Sequence, residues 1–171
     1  DDVRVPKANL VYELNKGWTV GKRLLQHERS SIGGIGGAQK TTSIEEYAKR
    51  YIGLDEQGKV DDAVLRSQIL NHRMNDSAFA LTMKRSVQES ATGTAPGAVS
   101  SMFKYYGTEQ NKGKYELLLS ILGTQSLGWG GDSFDEDELN TTRAWLRSKA
   151  NSIEGGTSEV QLNILAKRVL A

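Results

Sequence analysis

The sequence predicts an all-α protein, a bundle of the four-helix type with a short extended arm at its start. Three observations carry that prediction. Apolar residues recur every three or four positions over long stretches, as at Leu65, Ile69, Met74, Ala78 and Leu81, which is the period of a helix face. No run alternates apolar and polar residues over a length that would make a sheet, and no internal repeat is present. The connections are short, polar and glycine-bearing, which joins amphipathic helices into a bundle.

At 171 residues the chain suits one domain with a sizeable core. Its 22 basic and 21 acidic residues nearly cancel, so charge favours neither nucleic acid nor an anionic membrane as a partner. Cysteine is absent, which excludes disulfides and thiolate metal sites and fits a reducing compartment. His27 and His72 are too few for a histidine metal cluster, and no metal is expected. No apolar run approaches the roughly 20 residues of a membrane span, and no secretory leader is recognisable. The chain opens on Asp1 rather than Met and reads as part of a longer polypeptide.

Taken in order, residues 1–14 read as an extended arm, because Pro6 biases Val5 away from the helical region. Asn15-Lys-Gly17 is a turn signal. From about Trp18 the spacing of Val20, Leu24, Leu25, Ile32 and Ile35 is helical. Gly33, Gly34, Gly36 and Gly37 fall within it, each costing about 1 kcal/mol in a helix interior relative to alanine. They mark either a loop between two shorter helices or a close approach of a neighbour to one continuous or slightly broken helix, the reading favoured here. Gly34-Ile-Gly36 is no dinucleotide fingerprint, since Gln39 stands where the third glycine belongs and no strand precedes it.

Helical character resumes at Ile44, Tyr47 and Tyr51 and stops in the polar stretch from Gly53 to Gly58. A second long helix is predicted from near Val60, with Asp61 and Asp62 in its first turn, where carboxylates suit the helix dipole. His72 lies on it and reads as a packed or surface residue rather than a ligand. Thr92 to Gly97 interrupts the chain, Pro96 suiting the first turn of the next helix. The third long helix carries Val99, Met102, Phe103, Tyr106, Leu117, Leu118 and Ile121. After a glycine-rich connection from Gly123 to Ser133, the acidic run Asp135 to Glu138 opens a fourth helix, read as a solvated cap. The last helix follows Gly155-Gly156. Ser158 and Gln161 have the spacing of a capping box, with Thr157 a competing N-cap, and Leu162, Leu165 and Val169 form the apolar face. A helix start on a glycine turn either is an ordinary cap or holds an anion such as a phosphate.

The stretch Ile153-Glu-Gly-Gly-Thr-Ser-Glu-Val-Gln-Leu-Asn-Ile-Leu-Ala-Lys-Arg-Val-Leu170 resembles the end of the acyl-CoA dehydrogenases, flavoenzymes that desaturate acyl thioesters. Val3-Arg-Val-Pro-Lys-Ala-Asn-Leu-Val11, Asn15-Lys-Gly-Trp18 and Leu24-Leu-Gln-His-Glu-Arg29 resemble that family's passage from its middle β domain into its C-terminal helical domain. The resemblance implies that residues 1–14 belong to the preceding β domain or its linker and that 15–171 form the helical bundle. It also implies FAD as cofactor, acyl-CoA as substrate and an electron-transfer flavoprotein as electron acceptor. Assembly would be into homo- or hetero-oligomers, dimers or tetramers. The location would be the cytoplasm or, in a eukaryote, the mitochondrial matrix. These 171 residues alone are then expected to be inactive.

Desaturation needs a carboxylate to take the α proton, donors for the enolate oxygen and a hydride acceptor. In one branch of the family the base is a Glu directly before Arg on the first long helix, which Glu28-Arg29 matches. In another branch it is the Glu of a Glu-Gly-Thr turn, where this chain has Gly155, with Glu154 one position early. The resemblance therefore implies Glu28 as the catalytic base, with Arg29 organising the substrate beside it; the alternative for Glu28 is a surface carboxylate paired on its own helix. Thr157 and Glu159 align with flavin-contacting positions, although Glu159 replaces a Gln and cannot donate as an amide does. Gly123 is retained from a Gln-Ile-Leu-Gly-Gly segment that here reads Ser120-Ile-Leu-Gly-Thr-Gln-Ser126. The Arg-x-Phe-Gly motif is replaced in Tyr47-Ala-Lys-Arg-Tyr-Ile-Gly53. Both departures imply reduced or altered flavin contacts across a subunit boundary, and with them a second expectation: a non-catalytic assembly subunit.

Overall fold

The computed structural model describes residues 2–32, 43–92 and 99–170, with backbone alone for 26–32 and 90. Among these residues lie six α-helices: α1 (Gly17–Ile32), α2 (Ile44–Tyr51), α3 (Ala63–Ala91), α4 (Val99–Leu122), α5 (Glu136–Lys149) and α6 (Ser158–Arg168). No strand occurs among them; one isolated antiparallel bridge joins Leu54 and Val60. The arm is extended around Pro6, has a single 3₁₀ turn at Lys7–Asn9, and leaves Val3, Val5, Leu10 and Val11 exposed. Asn15 takes a left-handed φ of 63°, which asparagine tolerates better than most residues, and α1 starts just beyond it.

Helix α2 starts afresh rather than continuing α1. The Ser43 hydroxyl accepts from Glu46 N–H at 3.1 Å, and the Glu46 carboxylate accepts from Ser43 N–H at 3.0 Å. That reciprocal cap satisfies two helix-start donors. The glycines at 33–37, and Pro96 in the later break, lie outside the described residues. Although α2 has only 8 residues, its Ile44, Tyr47 and Ala48 are all buried. They pack with Leu65 and Ile69 of α3 and with Leu117, Leu118, Ile121 and Leu122 of α4 to form the apolar core.

The second long helix begins at Ala63, three residues after the predicted start, because Val60 is held in the bridge to Leu54. Asp62 is its cap: the carboxylate accepts from Leu65 N–H at 2.9 Å. Asp61 and Asp62 thus precede the first turn. Only Leu65, Ile69 and His72 of the predicted apolar face are buried, and His72 pairs with Asp76 at 3.3 Å. Leu70, Met74 and Leu81 are each more than 60% exposed (63%, 69% and 67%). A helix of 29 residues runs about 43 Å at 1.5 Å per residue and outreaches this core. Farther along, Phe79 meets the α4 residues Phe103 and Tyr106 at ring separations of 5.9 and 5.4 Å.

The acidic start of α5 is a cap, solvated at Glu136 and Asp137 and closed over at Glu138. Asp135 accepts from Glu138 N–H at 2.9 Å while Glu138 accepts from Asp135 N–H at 2.9 Å. Glu138 is only 5% exposed, because its other oxygen accepts from the Tyr51 hydroxyl at 2.6 Å. Arg50 binds Asp135 at 2.6 Å, and the Tyr47 hydroxyl pairs with Thr141 at 2.9 Å. Three successive contacts therefore fasten α2 to α5. Burial, followed by the Glu138 carboxylate, pushes the Tyr51 hydroxyl's pKa up, so Tyr51 stays protonated and donating.

Replacing Tyr47 by Phe should cost about 1 kcal/mol, the net worth of one buried hydrogen bond. Tyr47→Ala should cost about 3–5 kcal/mol through the cavity it leaves. Urea unfolding of the two variants checks both figures, and equal losses would mean that the hydroxyl, not the ring, carries Tyr47's contribution.

Candidate functional site

The site is the turn that leads into α6. After α5 the chain makes a 3₁₀ turn at Ala150–Ser152 and reaches Gly155 and Gly156 with φ of 64° and 90°. Both angles are left-handed, where glycine carries no steric cost. At Gly156 a Cβ would also stand 2.8 Å from the Gln161 amide nitrogen. Thr157 then caps α6, its hydroxyl accepting from Val160 N–H at 3.3 Å. Of the two caps weighed from sequence, Thr157 is the one used. Ser158 is the first helical residue, and Gln161 does not reach back to form a capping box. Instead the Gln161 side chain, 0% exposed, donates to Gly155 O at 3.0 Å and folds over the glycine turn.

Of the predicted apolar face of α6, only Leu165 turns inward. Leu162 and Val169 are 44% and 50% exposed, while Gln161, with Ser158, Ile164 and Leu165 partly covered, turns inward. The inward side is polar because it meets a polar stripe on α4. Ser101, Lys104 and Thr108 are buried at 1%, 4% and 5% exposure, at the three- and four-residue spacing of one helix face. Thr108 donates to Asn151 O at 3.3 Å, Asn111 to Asn151 Oδ1 at 2.8 Å, and Lys112 to Ser152 Oγ at 2.7 Å. Sequence reading missed this stripe, since it searched α4 for apolar spacing. The recurrence of Ser101, Lys104, Thr108 and Asn111 was the available signal.

Glu154 is fastened on both sides. Its carboxylate accepts from Arg147 at 2.8 Å and from the Asn151 side-chain amide. Arg147 is the main reason its pKa lies below the ordinary carboxylate value, with Asn151 adding to the effect against burial. A proton acceptor working near neutrality needs the opposite shift. Glu159 is exposed on the first turn of α6, its pKa lowered chiefly by its own backbone N–H and then by Thr157.

Thr157 and Glu159 are brought together here; Gly123 is not. Gly123 follows the last residue of α4 with a φ of 56°. The stripe that holds the α6 turn lies toward the other end of α4. From Lys104 to Gly123 the rise is about 28 Å at 1.5 Å per residue. Within one chain Gly123 and Thr157 therefore face different surroundings. Glu28 and Arg29 fall in the last turns of α1, and their side chains lie outside the described residues. Of the two segments that depart from the family motifs, the first is occupied internally and the second is exposed at Ser120. Tyr47 is buried at 2% exposure in the core, and the Ser120 hydroxyl donates to Glu116 O at 3.0 Å. Among the described residues no group of His, Cys, Asp or Glu side chains could hold a metal ion, and no helix is long and apolar enough to cross a membrane.

A family model described as the C-terminal domain of acyl-CoA dehydrogenase matches residues 15–170. Acyl-CoA dehydrogenase IpdE1 of Mycolicibacterium smegmatis is 28% identical over 99% of this chain and 40% of its own length. The mitochondrial long-chain specific acyl-CoA dehydrogenase of Sus scrofa is 25% identical over 99% of this chain and 38% of its own. Among solved structures, the ChsE4-ChsE5 complex from Mycobacterium tuberculosis superposes with a TM-score of 0.71 at 26% identity, over 99% of this chain and 43% of that one. A steroid ACAD variant, Tcur3481-Tcur3483, gives a TM-score of 0.77 at 22% identity, over 99% and 44%; at that identity the likeness is one of fold. The chain spans about two fifths of the length of the curated relatives it matches.

The lowered pKa of Glu154 fixes a sign. Its contribution to the turn is complete above its unfolded value of 4.5 and is lost as pH falls through the lower folded value. Amide shifts of residues 150–157 should therefore titrate below pH 4.5 in the wild type, and Glu154→Gln should remove that titration.

Proposed function

This chain belongs to the acyl-CoA dehydrogenase family, as its C-terminal domain, and on that premise we propose that it forms one wall of a flavin site that desaturates the α,β bond of an acyl-CoA thioester. The observation that carries the reading is the start of α6, where Thr157 caps a helix behind two left-handed glycines. A helix start leaves backbone N–H groups without partners inside the helix and favours anionic or electron-rich oxygen. Gln161 fills the space over Gly156, so the approach left to a flavin nucleotide is at Thr157 and the first turn of α6. Thr157 and the first-turn N–H groups would hold it, with Glu159 at the rim. FAD, when bound, accepts the hydride from the β carbon of the thioester.

The proton work falls to this chain's carboxylates. Glu28, followed by Arg29 at the end of α1, takes the α proton, and Arg29 orients the substrate beside it. Support comes by contrast from Glu154, the other carboxylate near the expected place, whose ties to Arg147 and Asn151 hold its pKa low. A base at Glu28 needs a pKa raised by burial against flavin and acyl chain. Electrons would leave to an electron-transfer flavoprotein. The substrate is an acyl-CoA in this reading, and the whole protein is an oligomer of like or unlike chains.

A second reading is favoured by a specific observation. The segment that stands in place of the Arg-x-Phe-Gly motif is engaged in this chain's own packing, through Tyr47 and Tyr51. A subunit whose segment no longer reaches a flavin would serve assembly while its partner holds the cofactor.

In the whole protein, Glu28→Gln should lower turnover by at least about a hundredfold with the flavin still bound, the usual scale for loss of a catalytic base. Unchanged turnover removes Glu28 from the reaction. The visible spectrum of the purified protein separates the two readings: a bound flavin band supports the enzyme, and a colourless chain supports the assembly subunit.

A further inference from the structure

Lys104 lies on α4 with 4% of its surface exposed, and its Nζ has no hydrogen-bond partner among the described residues. A buried ammonium is costly unless opposite charge compensates it. The compensation comes from the elements packed against it. Glu154 of the turn, Glu109 on its own helix and Glu159 of α6 are close enough for their charge to favour the ammonium, and Lys112 opposes them. Burial holds the Lys104 pKa below its ordinary value, and Glu154 is the foremost group working the other way. Lys104 also stands in register with the residues that grip the same turn. One turn farther along α4, Thr108 binds Asn151 O at 3.3 Å, and a turn beyond that Lys112 binds Ser152 at 2.7 Å. These bonds hold the 3₁₀ segment. Among the charged residues of α4, Lys104 is the buried one facing the first turn of α6.

We propose that Lys104 is a positioning residue for the desaturation. Its buried, unpartnered ammonium on the α4 face packed against the turn and α6 fixes the glycine turn against α4, which aims Thr157 and the α6 start at the flavin nucleotide. The side chain acts through the turn and touches neither cofactor nor substrate. Gly155 and Gly156 give the turn conformational freedom, which Gln161 and the ties of Glu154 limit, and the buried charge of Lys104 adds to that hold from the α4 side. The inference deepens the flavin reading above and rests on it for its consequence at the cofactor.

The test uses Lys104→Met, which keeps the length of the side chain without its charge, and Lys104→Arg, which keeps the charge. Both are made in the whole protein. Amide exchange is read first on flavin-free protein. Lys104→Met should speed exchange of residues 157–161 about tenfold and leave α2 and the start of α5 unchanged, while Lys104→Arg exchanges as the wild type does. With flavin added, Lys104→Met should lower occupancy and shift the visible band, and Lys104→Arg should restore both. Wild-type exchange in Lys104→Met overturns the proposal, as does acceleration throughout the chain or a Lys104→Arg that behaves like Lys104→Met. If Lys104→Met does not fold, a folded Lys104→Arg with wild-type exchange upholds the role of charge, and a loosened one overturns it. A wild type that takes up no flavin but shows the expected exchange pattern defeats the flavin reading and leaves the lysine's hold on the turn intact.

Discussion

Helix α4 has to satisfy two kinds of neighbour along one side, and the rest of the described structure depends on that division. Its last two turns bury Leu117, Leu118, Ile121 and Leu122, which only an apolar surround can match. That surround is made by α2 and the first turns of α3. Its first three turns bury Ser101, Lys104 and Thr108, whose polar atoms are costly to bury without partners. Thr108 finds its partner at the Ala150–Ser152 turn, while Ser101 Oγ and Lys104 Nζ are buried without a hydrogen bond among the described residues. The apolar end supplies the burial free energy, and the polar end supplies register, because hydrogen bonds and charges have fewer acceptable geometries than apolar contacts.

The ties between α2 and α5 show how the two ends are held in relation. Tyr47 places its ring in the apolar core and its hydroxyl on Thr141. Tyr51, one turn farther along α2, reaches α5 through Glu138, and the two rings stack at 5.7 Å. Helix α5 is thereby anchored at its N-terminus by α2. At its C-terminus it delivers Arg147 to Glu154 and Lys149 to Glu116. A short helix thus sets the direction of the element that ends at the glycine turn.

Helix existence was legible in the sequence wherever a period ran long, and the all-α class followed from that. Element starts were legible only where one residue governs them. Asp135 marked α5 plainly, whereas the α3 start moved to Ala63 because the Leu54–Val60 bridge, a tertiary contact, competed for Val60. Faces were the weaker inference. Apolar spacing in α6 and distal α3 pointed to Leu162, Leu70 and Leu81, which are exposed. A hydrophobic stripe marks a surface that something covers, and in a chain spanning two fifths of its relatives' length that cover need not lie within the chain. The polar stripe of α4 escaped notice for the complementary reason: Ser101, Lys104 and Thr108 look like a solvated face until their partners are known. At the candidate site, the glycine turn and Thr157 were readable as a helix start. The use of Gln161 as a strap over Gly156 was not, because its spacing from Ser158 imitates a capping box.

The turn also bears on where a catalytic carboxylate can stand in this chain. A Glu at position 155 would have to adopt a φ of 64°, at a cost of about 1–2 kcal/mol for a residue with a Cβ. That cost alone is modest, and a functional site can carry it. The decisive constraint is beneath the turn. Glu154 is held by Arg147 and Asn151 and faces Lys104, so the local positive charge stabilises a carboxylate as an anion rather than raising its affinity for a proton. A carboxylate added at 155 would enter the same field and be a weaker base for it. The positive charge around the turn therefore argues against a base there, and it favours one arriving from another helix. In the proposed reading that helix is α1, which carries Glu28.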